Sequence, residues 1–128
     1  MRVDFSSDAA WEALQATVGQ AGGPDGEFKA NVVYVNDPEF SGWDVARLVD
    51  WLTAADYPLN FAFVADATTM NEPDLPILCL GFNNPDDVKV FRVIPSELWS
   101  VENNLSIGNM DFSDFHEAVD AQGIFRGF

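Results

Sequence analysis

Side chains that build disulfides and zinc sites are almost absent from the sequence. Its 128 residues contain one cysteine, Cys79, and one histidine, His116. A single cysteine excludes an internal disulfide, and these two residues are too few for a Cys/His zinc site. We therefore expect no metal and no other cofactor. Because Cys79 lies in the apolar run 77–80, we expect its thiol to be buried and unreactive.

Basic residues and long apolar runs are also scarce. Lys and Arg number 6 against 21 Asp and Glu, which gives a net charge of −15. Nucleic acids and anionic membranes require a positive protein surface, so we expect neither as a partner. The longest nearly apolar stretch, residues 61–65, is too short to cross a bilayer, and the first residues lack the apolar core of a signal peptide. These absences predict a cytoplasmic protein.

Phosphate-binding and serine-hydrolase motifs are missing as well. The glycines Gly19, Gly22 and Gly23 fit neither G-x-G-x-x-G nor G-x-x-x-x-G-K-[ST], and no G-x-S-x-G is present. We therefore assign no catalytic residue, and the sequence favours a protein that is not an enzyme.

The acidic residues are spread along the chain rather than gathered in one tail. One interpretation is a solvated surface that keeps the protein soluble, and another is electrostatic steering of a basic partner. Adaptation to salt is a third, since Asp is twice as frequent as Glu and the only lysines are Lys29 and Lys89.

Length and composition predict a single acidic domain over residues 1–128, with 48% hydrophobic and 21% charged residues. Five apolar segments predict β-strands. They are residues 2–5, 31–35, 59–65, 77–82 and 89–94. Right-handed crossovers make the first three strands parallel, and the last two form a hairpin around residues 83–87. The expected α/β fold is a mixed five-stranded sheet, β-α-β-α-β and then a β-hairpin, followed by two helices.

Apolar residues at helical spacing predict four helices, two between the first three strands and two after the hairpin. Each begins at a capping residue or a proline. The starts are Ser7 or Asp8, Asp44, Pro95, and Asn109 or Asp111. The first two helices end by Gly19 and Pro58. Residues 123–128 are rich in aromatic side chains, so we expect this tail to dock on the core.

Four segments resemble a small uncharacterised family of acidic bacterial proteins. They are RVDFSSDAAW at 2–11, FRVIP at 91–95, ENNLSIGNMDF at 102–112 and FRGF at 125–128. The third is the most distinctive, and the similarity extends over nearly the whole chain. This resemblance implies a stand-alone domain of unknown function and supplies no catalytic residue.

The loop after the predicted strand 59–65 carries the first candidate ligand-binding residues. Asp66 and Thr69 lie at the carboxyl end of that strand, where open α/β sheets bind ligands. Arg92 is one of few cations and is suited to bind a carboxylate with two hydrogen bonds. The alternative is structural: Asp66 and the threonines form a local turn, and Arg92 pairs with an internal acid.

A group of asparagines next to the predicted break between the last two helices is the second candidate. Together with Glu102, the asparagines Asn103, Asn104 and Asn109 place four polar side chains next to this break. Helix interiors disfavour adjacent asparagines, so a compensating role is expected. They either hydrogen-bond the backbone where the helices join or line a polar pocket for a ligand.

The function that these observations favour is a non-enzymatic module that binds a basic protein partner, as an inhibitor or immunity factor does. Its acidic charge steers the partner, and aromatic residues near element ends anchor it. Those aromatics are Trp43, Trp51, Tyr57 and Trp99. The alternative is a small-molecule-binding domain or enzyme with its site near Asp66 at the carboxyl edge of the sheet.

Overall fold

A four-stranded mixed sheet forms the centre of the computed structural model, which describes residues 1–54 and 59–128. The strands are β1 (Phe61–Val64), β2 (Ile77–Gly81), β3 (Lys89–Val93) and β4 (Ile124–Phe125). They lie in the order β1-β2-β3-β4, with β1–β2 and β2–β3 antiparallel and β3–β4 parallel. The predicted hairpin is therefore confirmed as β2 and β3.

Five α-helices flank this sheet within the described residues. They are α1 (Asp8–Val18), α2 (Val45–Ala54), α3 (Ala67–Asn71), α4 (Leu98–Ser106) and α5 (Phe112–His116). Short 3₁₀ turns at Pro38–Phe40 and Pro95–Glu97 precede α2 and α4. The four predicted helices correspond to α1, α2, α4 and α5, and the predicted end at Pro58 lies outside the described residues. The single domain is thus of the α/β class.

The two faces of the sheet bury separate apolar cores, because successive strand residues point to opposite faces. Cys79 and Phe91 belong to the core that includes residues of α1, α4 and α5. Leu78 and Leu80 belong to the core that includes residues of α2. The buried apolar residues of these helices are Trp11, Leu14, Val18, Leu48, Val49, Leu52, Leu98, Val101 and Phe115. The helix faces inferred from apolar spacing therefore point inward.

The prediction of five strands is wrong, because residues 2–5 and 31–35 do not form strands. Arg2 makes only an isolated parallel bridge with Ala65. Its N–H donates to the Val35 carbonyl over 3.0 Å, but no ladder of successive hydrogen bonds follows. A strand requires such a ladder, and without it the first three predicted strands cannot form a parallel sheet.

The tail docks on the core, as the aromatic residues at 123–128 predict. β4 lies parallel to β3, with Ile124 opposite Arg92 and Phe125 opposite Val93. The Phe125 ring is fully buried, 5.2 Å from the Phe115 ring in an edge-to-face contact. The tail is therefore part of the sheet and of its core.

We expect Phe125→Ala to destabilise the protein by about 3–5 kcal/mol, because it opens a cavity between β4 and α5. Urea denaturation measures this free energy of unfolding. Phe128→Ala is the matched control, since its ring also contacts Phe115 and Phe125 but is 80% exposed. Its expected cost is about 1 kcal/mol or less. Equal losses in the two variants would show that β4 is not held by burial of Phe125.

Candidate functional site

The first group of predicted site residues comes together where β1 leads into α3. Asp66 is the N-cap of α3, and its Oδ1 accepts the Thr69 N–H over 3.1 Å. The Asp66 N–H in turn donates to Thr69 Oγ1 over 3.2 Å. This reciprocal capping box satisfies backbone donors that a helix start otherwise leaves open.

Arg92, which lies in β3, completes this group. Its Nη1 and Nη2 donate to Asp66 Oδ1 and Oδ2 over 2.9 and 2.8 Å, which is a two-bond pair. Nη1 and Thr69 Oγ1 also donate to the Pro76 carbonyl, over 3.1 and 2.8 Å. The three predicted residues thus use their polar groups on one another and on the chain between α3 and β2.

The protonation of Asp66 follows from these contacts. Partial burial by itself raises the pKa of the carboxyl group, but hydrogen bonds from Arg92 and Thr69 and the guanidinium charge outweigh burial. The resulting pKa lies below the ordinary aspartate value. Asp66 is therefore a charged, occupied carboxylate, which is the structural role weighed above. Its binding of a ligand stays a prediction.

The asparagines form a second group, at the carboxyl end of α4. Asn104 Nδ2 donates to the Ser100 carbonyl over 2.7 Å, and Asn109 Nδ2 donates to Asn104 Oδ1 over 2.8 Å. Asn103 Nδ2 donates to the Lys29 carbonyl over 2.8 Å. In the described part of the chain, no hydrogen bond joins these asparagines to Asp66, Thr69 or Arg92. The two predicted groups are separate. Asn103 and Asn104 donate to backbone carbonyls, whereas Asn109 donates to the Asn104 side chain.

Glu102, which the sequence grouped with these asparagines, is a buried acid. Its side chain is 4% exposed and accepts hydrogen bonds from the Asn31 N–H, Asn103 Nδ2 and Ser106 Oγ. It fastens residue 31 to α4. The available signal was its position four residues after Leu98, which places an acid on the buried face of the helix.

An open cavity of about 570 Å³ lies along the outer edge of β1, the edge that faces away from β2. Its lining comes from α1, residues 31–35, the end of α2, β1 and α4. We call it the apolar groove, and it is outlined by Leu14, Val33, Trp51, Leu59, Phe61 and Glu102. Most of the described lining side chains are apolar, and Asn31, Glu102 and Ser106 add polar groups.

Exposed apolar side chains gather around this groove. Val33 is 89% exposed, and Tyr34, Trp51 and Leu59 are between 39% and 47% exposed. All four line the groove. The grouping of these side chains around one groove makes it a candidate binding surface.

The other predicted aromatic anchors have neighbours in the fold. The Trp43 ring lies edge-on to Phe40 and under the Arg47 guanidinium at 4.0 Å. Trp99 stacks on Phe28, and a Cβ atom at Gly22 would lie only 2.3 Å from its ring, so glycine is required there. Tyr57 lies outside the described residues. Trp51 also lies edge-on to Phe40, at 5.0 Å, and among the described anchors it is the one that lines the groove.

Metal-binding clusters and membrane-spanning helices are absent from the described residues. No group of three His, Cys, Asp or Glu side chains among them is placed to hold a metal ion. No helix among them is long and apolar enough to span a bilayer. Cys79 is buried, and burial raises the pKa of its thiol well above the ordinary value.

We expect Asp66→Asn to lower the free energy of unfolding by about 2 kcal/mol at pH 7, because it breaks a charge-assisted pair in a half-buried site. A carboxyl group whose folded pKa is depressed stabilises the protein above its unfolded pKa of about 3.9 and loses that contribution as the pH falls through the folded value. The difference in free energy of unfolding between wild type and variant should therefore become smaller below about pH 4.

Urea denaturation at several pH values measures this difference. Asp87→Asn is the matched control, since it breaks the exposed ion pair with Lys89 and should cost about 0.5 kcal/mol or less. A difference for Asp66→Asn that is constant from pH 7 to about pH 3 would contradict the assigned ion pair.

Comparison with known proteins supplies the family. No curated protein and no solved structure matches the chain. The family described as Domain of unknown function (DUF6924) matches residues 1–128. The resemblance carried by the segments at 2–11, 91–95, 102–112 and 125–128 is thereby confirmed. The chain belongs to this family, the Domain of unknown function (DUF6924).

Proposed function

We propose that this protein is a non-enzymatic interaction module that binds a basic protein partner through the apolar groove, in the manner of an inhibitor or immunity factor. The observation that carries the proposal is the clustering of exposed Val33, Tyr34, Trp51 and Leu59 around one groove on a chain of net charge −15. Apolar and aromatic side chains in a central pocket supply most of the affinity of protein complexes.

Several acidic residues lie close, along the sequence, to residues that line the groove. Glu27 and Glu39 are exposed and lie four residues from Asn31 and Val35, while exposed Asp50 precedes Trp51. Such charges raise the rate at which a basic protein arrives and orient it before the apolar contacts form.

The hydrogen bonds within the first predicted site favour the groove over Asp66 as the place where a partner binds. The guanidinium of Arg92 is paired with Asp66, and the Thr69 hydroxyl donates to the Pro76 carbonyl. A ligand there would have to displace these bonds, whereas the groove presents apolar surface that is already exposed.

A second candidate function is the binding of a small apolar molecule. It is favoured by the groove volume of about 570 Å³, which falls within the usual range for small-molecule sites. The exposure of Val33 and Leu59 favours a protein instead, because a small ligand buried in a pocket leaves such rim residues in water.

Capture from a lysate of the source organism, washed at low and high salt and read by mass spectrometry, tests the proposed function. We expect one stoichiometric basic protein that is retained at low salt and lost at high salt, because salt screens exposed charges. Absence of such a protein, together with binding of small apolar molecules, would favour the second candidate.

Two triple variants test steering by the acids. Glu27→Gln/Glu39→Gln/Asp50→Asn changes acids within four residues of the groove lining, and Glu72→Gln/Asp86→Asn/Glu117→Gln changes exposed acids further along the chain. Each triple variant removes three negative charges. We expect the first to slow association with the captured protein by about tenfold at low salt and the second by about twofold or less. Equal slowing would assign the charge to general solubility.

Two double variants test the apolar contacts without changing the charge. Val33→Ser/Leu59→Ser alters the groove, and Val90→Ser/Ile107→Ser alters exposed aliphatic residues that do not line it. We expect the first to weaken affinity for the captured protein by about tenfold or more, mostly through faster dissociation, and the second to leave it within about twofold. Calorimetry and stopped-flow kinetics measure both. Unchanged binding by the groove variant would place the interface elsewhere.

A further inference from the structure

The outer edge of β1 presents backbone groups to the apolar groove. On its inner edge β1 pairs with β2, and the Asn60 carbonyl accepts the Phe82 N–H over 2.8 Å. Because backbone groups alternate between the two edges of a strand, Ala62 and Val64 share the β2 side with Asn60. Phe61 and Phe63 therefore direct their N–H and C=O groups to the opposite edge, which the groove follows.

Residues 1–3 occupy the start of a strand position along that edge. The Ala65 N–H donates to the Met1 carbonyl over 2.8 Å, and the Val3 N–H donates to the Ala65 carbonyl over 3.0 Å. The Met1 amino group also donates to the Phe63 carbonyl over 2.7 Å. Further down the edge, no described residue forms a backbone hydrogen bond with the Phe61 N–H, the Phe61 carbonyl or the Phe63 N–H. The groove thus continues the position of a neighbouring strand, where backbone groups await partners.

The walls of the groove suit a strand whose two faces are both apolar. Trp11 and Leu14 of α1 line it from one face of the sheet, and Trp51 and Leu52 of α2 line it from the other. Strands covered on both faces are continuous runs of apolar, often β-branched residues.

The open part of the edge ends where Met1 bonds Phe63 and Ala65, so the position accommodates a short extended segment of about four residues at about 3.3 Å each. That segment would pair with the Phe61 N–H, the Phe61 carbonyl and the Phe63 N–H.

The net charge of −15 favours basic residues beside the apolar run of such a segment. Glu27, Glu39 and Asp50 are exposed and lie within four residues, along the sequence, of residues that line the groove. Lysine or arginine on either side of an apolar run complements these carboxylates.

We propose that the groove binds an extended segment of a basic protein, about four apolar residues flanked by Lys or Arg, which adds as a strand to the outer edge of β1. This inference rests on the proposed function and specifies how the partner is recognised. Main-chain hydrogen bonds to Phe61 and Phe63 give affinity, and the two apolar walls select the side chains.

A displayed library of random nine-residue peptides, panned against the full chain at low salt, provides the probe. We expect enriched peptides to share a β-branched or aromatic centre with basic flanks. When a synthetic copy of one such peptide binds, the amide protons of Phe61 and Phe63 become hydrogen-bonded. We expect their rate of exchange with solvent to fall by at least about tenfold. N-methylation of the peptide centre should abolish binding, and N-methylation of a flank should not.

Two substitutions of one residue separate strand addition from apolar contact. Phe61→Ala removes the ring, while Phe61→Pro removes the ring and also the N–H that faces the groove. Phe61 is the first residue of β1, a position where proline is tolerated, and its N–H does not pair with β2. We expect Phe61→Pro to bind the peptide about tenfold more weakly than Phe61→Ala. Urea denaturation checks that both variants are folded.

The contrary outcomes are distinct. Equal peptide affinity in the two Phe61 variants, or peptide binding without protection of Phe61 and Phe63, overturns strand addition. If the salt-sensitive protein partner is still captured in that case, the proposed function stands and only strand addition is overturned. No enriched peptide, combined with tight binding of the uncharged dye Nile red, overturns strand addition and makes the groove a small-molecule site.

Discussion

The two ends of the segment 31–35 are held by two buried charged residues, Arg2 and Glu102, and the position of this wall of the apolar groove follows from both. At one end the Arg2 backbone N–H donates to the Val35 carbonyl, and the Arg2 guanidinium donates to Asn36. At the other end the Glu102 carboxylate accepts the Asn31 N–H. Between these ties no ladder joins the segment to β1, so the apolar residues 32–34 form a wall of the groove instead of a strand.

Burying these two charges costs free energy that local contacts offset. Arg2 is 3% exposed, donates to Asp8 and to the Asp4 carbonyl, and lies against the rings of Phe5 and Trp11. Glu102 has three donors. A buried charge is tolerated when it is paired and hydrogen-bonded in this way, and it then fixes a geometry more than it adds stability. Here the fixed geometry is the distance between the segment and the sheet.

Patterns within one segment predicted much of the fold, whereas pairing between segments was not predictable in the same way. The apolar faces of α1, α2, α4 and α5 follow from residue spacing, as does the hairpin of β2 and β3. The segment 31–35 has the β-branched composition of a strand, but composition reports a fit to a half-buried surface and not the presence of a partner edge. α3 and β4, with five and two residues, are too short to show a period.

The same distinction applies to the candidate site. Asp66 and Thr69 are three residues apart, and Arg92 is one of few cations, so their association was accessible to local spacing and charge counting. The groove was not, because its lining comes from parts of the chain as distant as Leu14 and Ser106. Only Glu102, an acid on the buried face of α4, hinted that a polar tie crosses this region.

The net charge and the groove also constrain each other. An exposed apolar patch that flanks an open strand edge is a route to self-association, which natural proteins oppose with charge. A charge of −15 makes two copies of this chain repel each other, and this repulsion opposes self-association through the groove. The same field attracts a chain of opposite sign. Under the proposed function, acidity that is spread along the chain serves both solubility and selection of a basic partner, so these two interpretations of the charge are compatible.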